Sequence, residues 1–174
     1  KANALGQTAI AITDHGAMYG VVDFYNAAKK QGIKPILGFE AYVTADLHEK
    51  TSKNREYAHL LLLAKNQQGY QNLMNLCSIG FLEGYYYKPR IDKELLKQYN
   101  EGIIALSACL AGEIPDALRK GLYQTALDAA EEMSGIFGKD HFYLELQDHG
   151  IPEQKTVNQG LLRLAKDTGL ELVA

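Results

Sequence analysis

Short runs of aliphatic and β-branched residues alternate along this chain with longer stretches in which apolar side chains recur every three or four positions. The first run, residues 8–13 (Thr-Ala-Ile-Ala-Ile-Thr), predicts a buried strand that stops at Asp14-His15-Gly16. Helical spacing follows over residues 21–31, with Val22, Tyr25 and Ala28 on one face and Gly32 as the stop. Strands are predicted next over residues 34–43, 59–64, 103–107 and 142–147, and residues 171–174 open a sixth. Helices fit residues 67–79, 123–135 and 153–168, with shorter ones over 92–98 and 113–119. Residues 44–57 are polar and without period, which predicts a mobile surface loop.

Strand-helix alternation sustained over this length predicts an α/β fold with a mostly parallel sheet, open or closed into a barrel. Such sheets collect ligands and reacting groups at the carboxyl ends of their strands. No repeat, low-complexity tract or linker divides the chain, so one domain is expected. Residues 1–6 read as the last turn of a helix, and residues 170–174 stop where a strand would deliver its loop. The expectation is therefore a domain truncated at both ends.

Composition narrows the classes. With 174 residues, 47% apolar and 22% charged, the chain matches one ordinary globular domain. No apolar run approaches the roughly 18 residues of a membrane helix, and Lys1 opens on polar sequence unlike a signal peptide. A cytoplasmic location without membrane contact is expected. The net charge of −3 lacks the positive field of a protein that grips nucleic acid by its phosphates, so any DNA affinity must come from a larger molecule. Two cysteines, Cys77 and Cys109, are too few for a disulfide framework; each is a buried apolar group or a ligand.

Chemistry-bearing residues cluster at predicted strand ends. Asp14 and His15 end the first strand, Glu40 interrupts the apolar second one, His59 leads into Leu60-Leu61-Leu62-Leu63, and Cys109 follows Leu106-Ser107-Ala108. A carboxylate, two imidazoles and a thiol at comparable positions form a ligand set for a divalent metal. Imidazole and thiolate favour zinc, the carboxylate also suits manganese or magnesium, and such an ion can polarise a phosphoryl oxygen. Each residue also has a structural alternative: a hydrogen-bonded histidine, a salt-bridged edge glutamate, a core cysteine, a capping aspartate. Asp148-His149-Gly150 repeats the first tripeptide after the fifth strand, with Glu145 before it, as site periphery or helix capping. Residues 85–90, Tyr-Tyr-Tyr-Lys-Pro-Arg, could stack on a nucleic-acid strand or pack their loop against the domain.

These residues carry a resemblance. Ala11-Ile12-Thr13-Asp14-His15-Gly16, Met18-Tyr19-Gly20, Phe24-Tyr25, Ala27-Ala28-Lys29-Lys30 and Gly32-Ile33-Lys34-Pro35-Ile36-Leu37-Gly38-Phe39-Glu40 resemble the PHP (polymerase and histidinol phosphatase) domain. Tyr86-Tyr87-Lys88-Pro89-Arg90-Ile91-Asp92, Ala105-Leu106-Ser107-Ala108-Cys109-Leu110-Ala111-Gly112-Glu113 and Leu144-Glu145-Leu146-Gln147-Asp148-His149-Gly150 are similar to the branch found in bacterial DNA polymerase III alpha subunits. The resemblance implies a distorted seven-stranded (β/α) barrel holding up to three divalent metals, zinc or manganese foremost. By matching positions it implies His15, Glu40, His59 and Cys109 as ligands; apart from the resemblance, Asp14, Glu145, Asp148 and His149 are expected at the site periphery, and no catalytic residue is assigned. The family's opening His-x-His would precede Lys1, its closing Asp-x-His would follow Ala174, and the polymerase palm, fingers and thumb lie outside.

The leading expectation is a PHP segment of a replicative DNA polymerase that contributes a metal-dependent 3′–5′ exonuclease when intact. The parent polymerase would use magnesium, and DNA, a proofreading exonuclease and a sliding clamp would be its partners. The alternatives are a non-catalytic domain that supports the polymerase and docks the exonuclease subunit, and a free-standing phosphoesterase.

Overall fold

The computed structural model describes residues 1–54 and 56–174. Among the described residues seven strands form one sheet: β1 (Ala9–His15), β2 (Lys34–Thr44), β3 (Ala58–Ala64), β4 (Arg90–Asp92), β5 (Ile103–Leu106), β6 (Phe142–Glu145) and β7 (Leu172–Val173). The path through the sheet is β1-β2-β3-β5-β6-β7, and β4 pairs with β2 beyond the end of β1. The sheet curls into a mostly parallel half-barrel, as expected. The helices are α1 (Val21–Lys30), α2 (Gln67–Leu82), α3 (Lys93–Gln98), α4 (Glu113–Arg119), α5 (Tyr123–Phe137) and α6 (Pro152–Thr168).

One strand departs from the parallel pattern: β3 is antiparallel to both β2 and β5. The cause lies in its connection. Among the described residues, 45–57 between β2 and β3 hold a short 3-10 turn (Ser52–Asn54) and no α-helix, whereas a parallel return is usually made through a helix packed on the sheet. The reversal matters for function, because it puts the amino end of β3 beside the carboxyl ends of β1, β2 and β5.

Alternation sorts the sheet into two faces. Phe39, Ala41, Val43, Leu60, Leu62, Ile103, Ala105, Phe142 and Leu144 point to the helices, where they meet Leu73 and Leu76 of α2, Leu96 of α3, Met133 of α5 and Leu161 and Leu164 of α6. Each Val, Leu, Ile, Phe or Met among them contributes about 1.5–3 kcal/mol when removed from water, and truncating the fully buried Leu62 to Ala would cost about 2–5 kcal/mol. The helix ends follow local chemistry. Asn66 caps α2 by accepting from Gly69 N–H (2.9 Å), Asp92 caps α3 through Leu95 N–H (3.0 Å), and α6 runs from Pro152 to a left-handed Gly169.

Several expectations need correction. Strand β1 is an edge strand, largely exposed, that pairs only with β2 among the described residues; an apolar run does not reveal what covers it. Helix α1 buries Val21 and Ala28, while Val22 and Tyr25 face outward. Residues 21, 24 and 28 form a stripe as apolar as the predicted one, and the sheet contacts that stripe. Strand β4 escaped prediction because three residues are too short for a period.

The polar loop after β2 is not a loose excursion. Arg90, 0% exposed, donates through Nε to Gly84 O (3.2 Å) and through its two terminal nitrogens to Asn54 O and Glu49 O, while Leu47 and Asn54 are buried. Thr44 Oγ1 donates to Asn54 Oδ1 at 3.0 Å, tying the loop to the strand it leaves.

Candidate metal centre

His15 is the last residue of β1 and stands opposite Glu40 in the β1–β2 register, so both side chains rise from the inner face of the sheet. His15 Nδ1 pairs with Glu40 Oε2. On the other side of β2, Tyr42 stands opposite His59, which places His59 on the same face, and its Nδ1 lies 3.0 Å from Glu40 Oε1. Donor atoms of His15, Glu40 and His59 all fall within 4.8 Å of one another.

Cys109 reaches the group from the loop after β5. Its Sγ lies 3.5 Å from His59 Nδ1 and 3.8 Å from Glu40 Oε1. Ala108 precedes it at φ +61°, a left-handed conformation that is costly for a residue with a Cβ and turns the chain toward the site. The turn is closed by Gly112 N–H to Cys109 O (2.8 Å) and tied to β3 by His59 N–H to Ala111 O (3.0 Å). A Cβ on Gly112 would come within 2.2 Å of Ser107 O, so the turn requires glycine.

The site has a buried floor and an open mouth: side-chain exposure is 9% for Glu40, 19% for His59 and 72% for His15. Tyr57 stacks parallel to the His59 ring (6.1 Å, 2°), and Tyr42 meets it edge-on at 5.3 Å. Lys88 Nζ lies 5.5 Å from the Tyr42 ring centre.

These contacts shift the protonation equilibria of the cluster. Hydrogen bonding with Cys109, then with Glu40, pushes the His59 imidazole up to about 9 despite burial. Burial alone would raise the Glu40 carboxyl; the hydrogen bonds and charges of His59 and His15 outweigh it and hold the group below its usual range.

The structure thus brings His15, Glu40, His59 and Cys109 together. Asp14, on the opposite face of β1, accepts from Gly20 N–H (3.3 Å) and closes the loop behind His15. Asp148 Oδ1 accepts from Gly150 N–H (3.1 Å), and His149 N–H donates to Gln154 Oε1 (2.8 Å), a turn leading into α6. Glu145 N–H donates to Ser107 Oγ (2.9 Å), and its Oε1 accepts from Gln147 (2.7 Å). In the 85–90 cluster, Arg90 lies 5.1 Å from the Tyr86 ring centre, while Tyr85 and Tyr87 stay exposed.

Sequence reasoning missed the aromatic wall of Tyr42 and Tyr57. Tyr42 was findable: two positions after Glu40, it had to share that residue's face. Nothing in the sequence announces the left-handed Ala108.

With this geometry in hand, comparison with known proteins gives a consistent result. The PHP domain family matches residues 1–149, and the chain belongs to that family. DNA polymerase III subunit alpha of Helicobacter pylori is 44% identical over 185 residues, covering 100% of this chain and 15% of that protein. The Thermus aquaticus subunit is 48% identical over 170 residues, covering 95% of this chain and 14% of its own length. The chain therefore spans about 15% of the length of these curated relatives. Among solved structures, a Bifidobacterium adolescentis protein described as a metal-dependent phosphoesterase superposes with a TM-score of 0.57 at 18% identity, over 98% of this chain and 77% of that one. No helix among the described residues is long and apolar enough to cross a membrane.

Proposed function

We propose that this chain is the PHP segment of a bacterial replicative DNA polymerase of the alpha-subunit type, and that His15, Glu40, His59 and Cys109 bind divalent cations for phosphoester hydrolysis at a DNA 3′ end. The convergence of three donor side chains within 4.8 Å, with Cys109 Sγ against two of them, carries this reading. Two imidazoles, a carboxylate and a thiol fit zinc or manganese by donor chemistry. The bound ion supplies polarisation of a phosphoryl oxygen and a hydroxide source near neutral pH.

The chain's own residues prepare that chemistry. Glu40 orients both imidazoles from the floor, one through each oxygen. Tyr42 and Tyr57 fix the His59 ring and keep water off its inner side. The exposed His15 side leaves room for a phosphodiester. Lys88, over Tyr42, offers a cation to an approaching phosphate.

The reading extends to the whole protein. We take these 174 residues as part of a larger barrel domain: among the described residues β1 and β7 each pair on one side only, and the relatives are several times longer. Polymerisation with magnesium, contact with DNA, a sliding clamp and other replisome partners, and a cytoplasmic location belong to that parent.

The decisive experiment measures manganese and zinc content, and 3′-exonuclease rate, in the full-length protein and its Glu40→Gln and His59→Ala variants. Unchanged metal content in both variants would remove the site. A second reading, a docking surface for a separate exonuclease subunit, is favoured by exposed Tyr19, Phe81, Leu82 and Tyr85, three of which form a ring-to-ring run at 6.1 and 6.3 Å. Co-purification of an exonuclease that is lost in Tyr19→Ser/Tyr85→Ser would support it.

A further inference from the structure

The inner face of the sheet can be followed strand by strand from the proposed site. His59 shares its face with Leu61, two residues on. Leu61 stands opposite Leu106, and Leu106 opposite Tyr143. Glu145, two residues beyond Tyr143, therefore lies on the same face as His59 and Glu40, at the carboxyl end of β6. It is the acidic side chain that this register brings to the ligand-bearing rim from the far side.

Its surroundings are built. Glu145 N–H is fixed to Ser107 Oγ (2.9 Å), two residues before Cys109, and Gln147 holds Oε1 at 2.7 Å. The second oxygen, Oε2, is buried and has no hydrogen-bond partner among the described residues. A buried acceptor without a partner is destabilising, more so when it carries charge. A carboxylate kept for stability would be expected to face Arg or Lys, yet none of the ion pairs among the described residues includes Glu145. Instead it lines a small cavity with Cys109, Gln147, Gln154 and Asn158.

We propose that Glu145 is a further cation-binding carboxylate of this centre, presenting Oε2 from β6 to a divalent ion on the Cys109 side of the cluster. This rests on the metal-site reading above and deepens it. The electrostatics agree: burial, and then the charge of Glu40, push the Glu145 carboxyl up. A carboxylate whose ionisation is disfavoured by burial and by a second carboxylate is relieved by a cation placed beside it.

The proposal is separable from a structural role, because the two roles predict opposite signs. In the full-length protein, Glu145→Gln keeps the size and the contact with Gln147 but removes the charge. Manganese(II) affinity by titration calorimetry should fall at least about tenfold, while the melting temperature of the metal-stripped protein should hold or rise, since a repelling, unsatisfied carboxylate is gone. Unchanged affinity would overturn the proposal. A lowered metal-free melting temperature with unchanged affinity would assign Glu145 to structure and overturn it equally. Glu40→Gln runs alongside: if it too leaves manganese binding intact, the metal-site reading itself fails, whereas loss with Glu40→Gln alone removes only the role of Glu145.

Discussion

The chain writes Asp-His-Gly twice and uses it in two different ways. At residues 14–16 the histidine is the last residue of a strand, in register with Glu40, and Gly16 N–H donates to Glu40 O at 2.8 Å. At residues 148–150 the neighbouring strand has already ended at Glu145, so the tripeptide lies in an exposed turn and Gly150 N–H donates to Asp148 Oδ1 at 3.1 Å. The glycines repeat the contrast. Both adopt positive φ, +65° and +76°, but a Cβ on Gly16 would press to 2.6 Å of the Tyr42 ring, whereas one on Gly150 would meet nothing within 4 Å. A short motif acquires chemical meaning from strand register, which its letters do not contain.

The widest gap between the two copies should appear in cation binding. His15→Ala is expected to weaken manganese or zinc affinity of the full-length protein about 100-fold, about 2.7 kcal/mol, by titration calorimetry. His149→Ala should stay within about twofold. Equal losses would erase the distinction. Next comes stability: Gly16→Ala should cost about 2–4 kcal/mol in denaturant unfolding, combining left-handed strain with the ring collision, against about 1 kcal/mol for Gly150→Ala from strain alone.

Protonation gives a smaller, signed effect. The His59 imidazole is raised from 6.5 to about 9, so its contribution to metal-free stability is complete below pH 6.5 and is lost as pH rises through 9. The metal-free melting temperature should fall by roughly 5 °C across that window. Cation affinity should climb over the same range, because an ion must displace the proton. Glu40, lowered from 4.5, has the opposite sense: its contribution is present above pH 4.5 and is lost as pH falls further. His59→Ala should flatten the alkaline limb, and His149→Ala should leave it in place.

Most of the architecture was readable because its strands and helices are long enough to carry a period. The cluster was readable because polar residues interrupt or end apolar runs, as Glu40 does between Phe39 and Ala41. The direction of β3 was open to the same reading: a strand-to-strand connection lacking a helical period, as over residues 45–57, points to an antiparallel return. Other features depend on partners remote in sequence. Nothing local in the Pro-Arg-Ile-Asp of residues 89–92 says that it pairs with Thr44, or that Arg90 is fully enclosed. The choice between the Val21/Ala28 and Val22/Tyr25 stripes of α1 likewise depends on where the sheet lies.

Arg90 has one more implication. Among the described residues its guanidinium donates to main-chain carbonyls, at Glu49, Asn54 and Gly84. The course of this loop is thus set jointly by the Asn54 side chain and by a guanidinium some forty positions downstream that reads only main chain. Such an arrangement tolerates drift at Glu49, which offers the guanidinium only its carbonyl, but not at Asn54, whose side chain also holds Thr44 Oγ1 and the carbonyls of Asp46 and Glu49. Lysine, a single ammonium without the planar fork, could not serve all three carbonyls, and Arg90→Lys should open this stretch to proteases before any other part of the molecule.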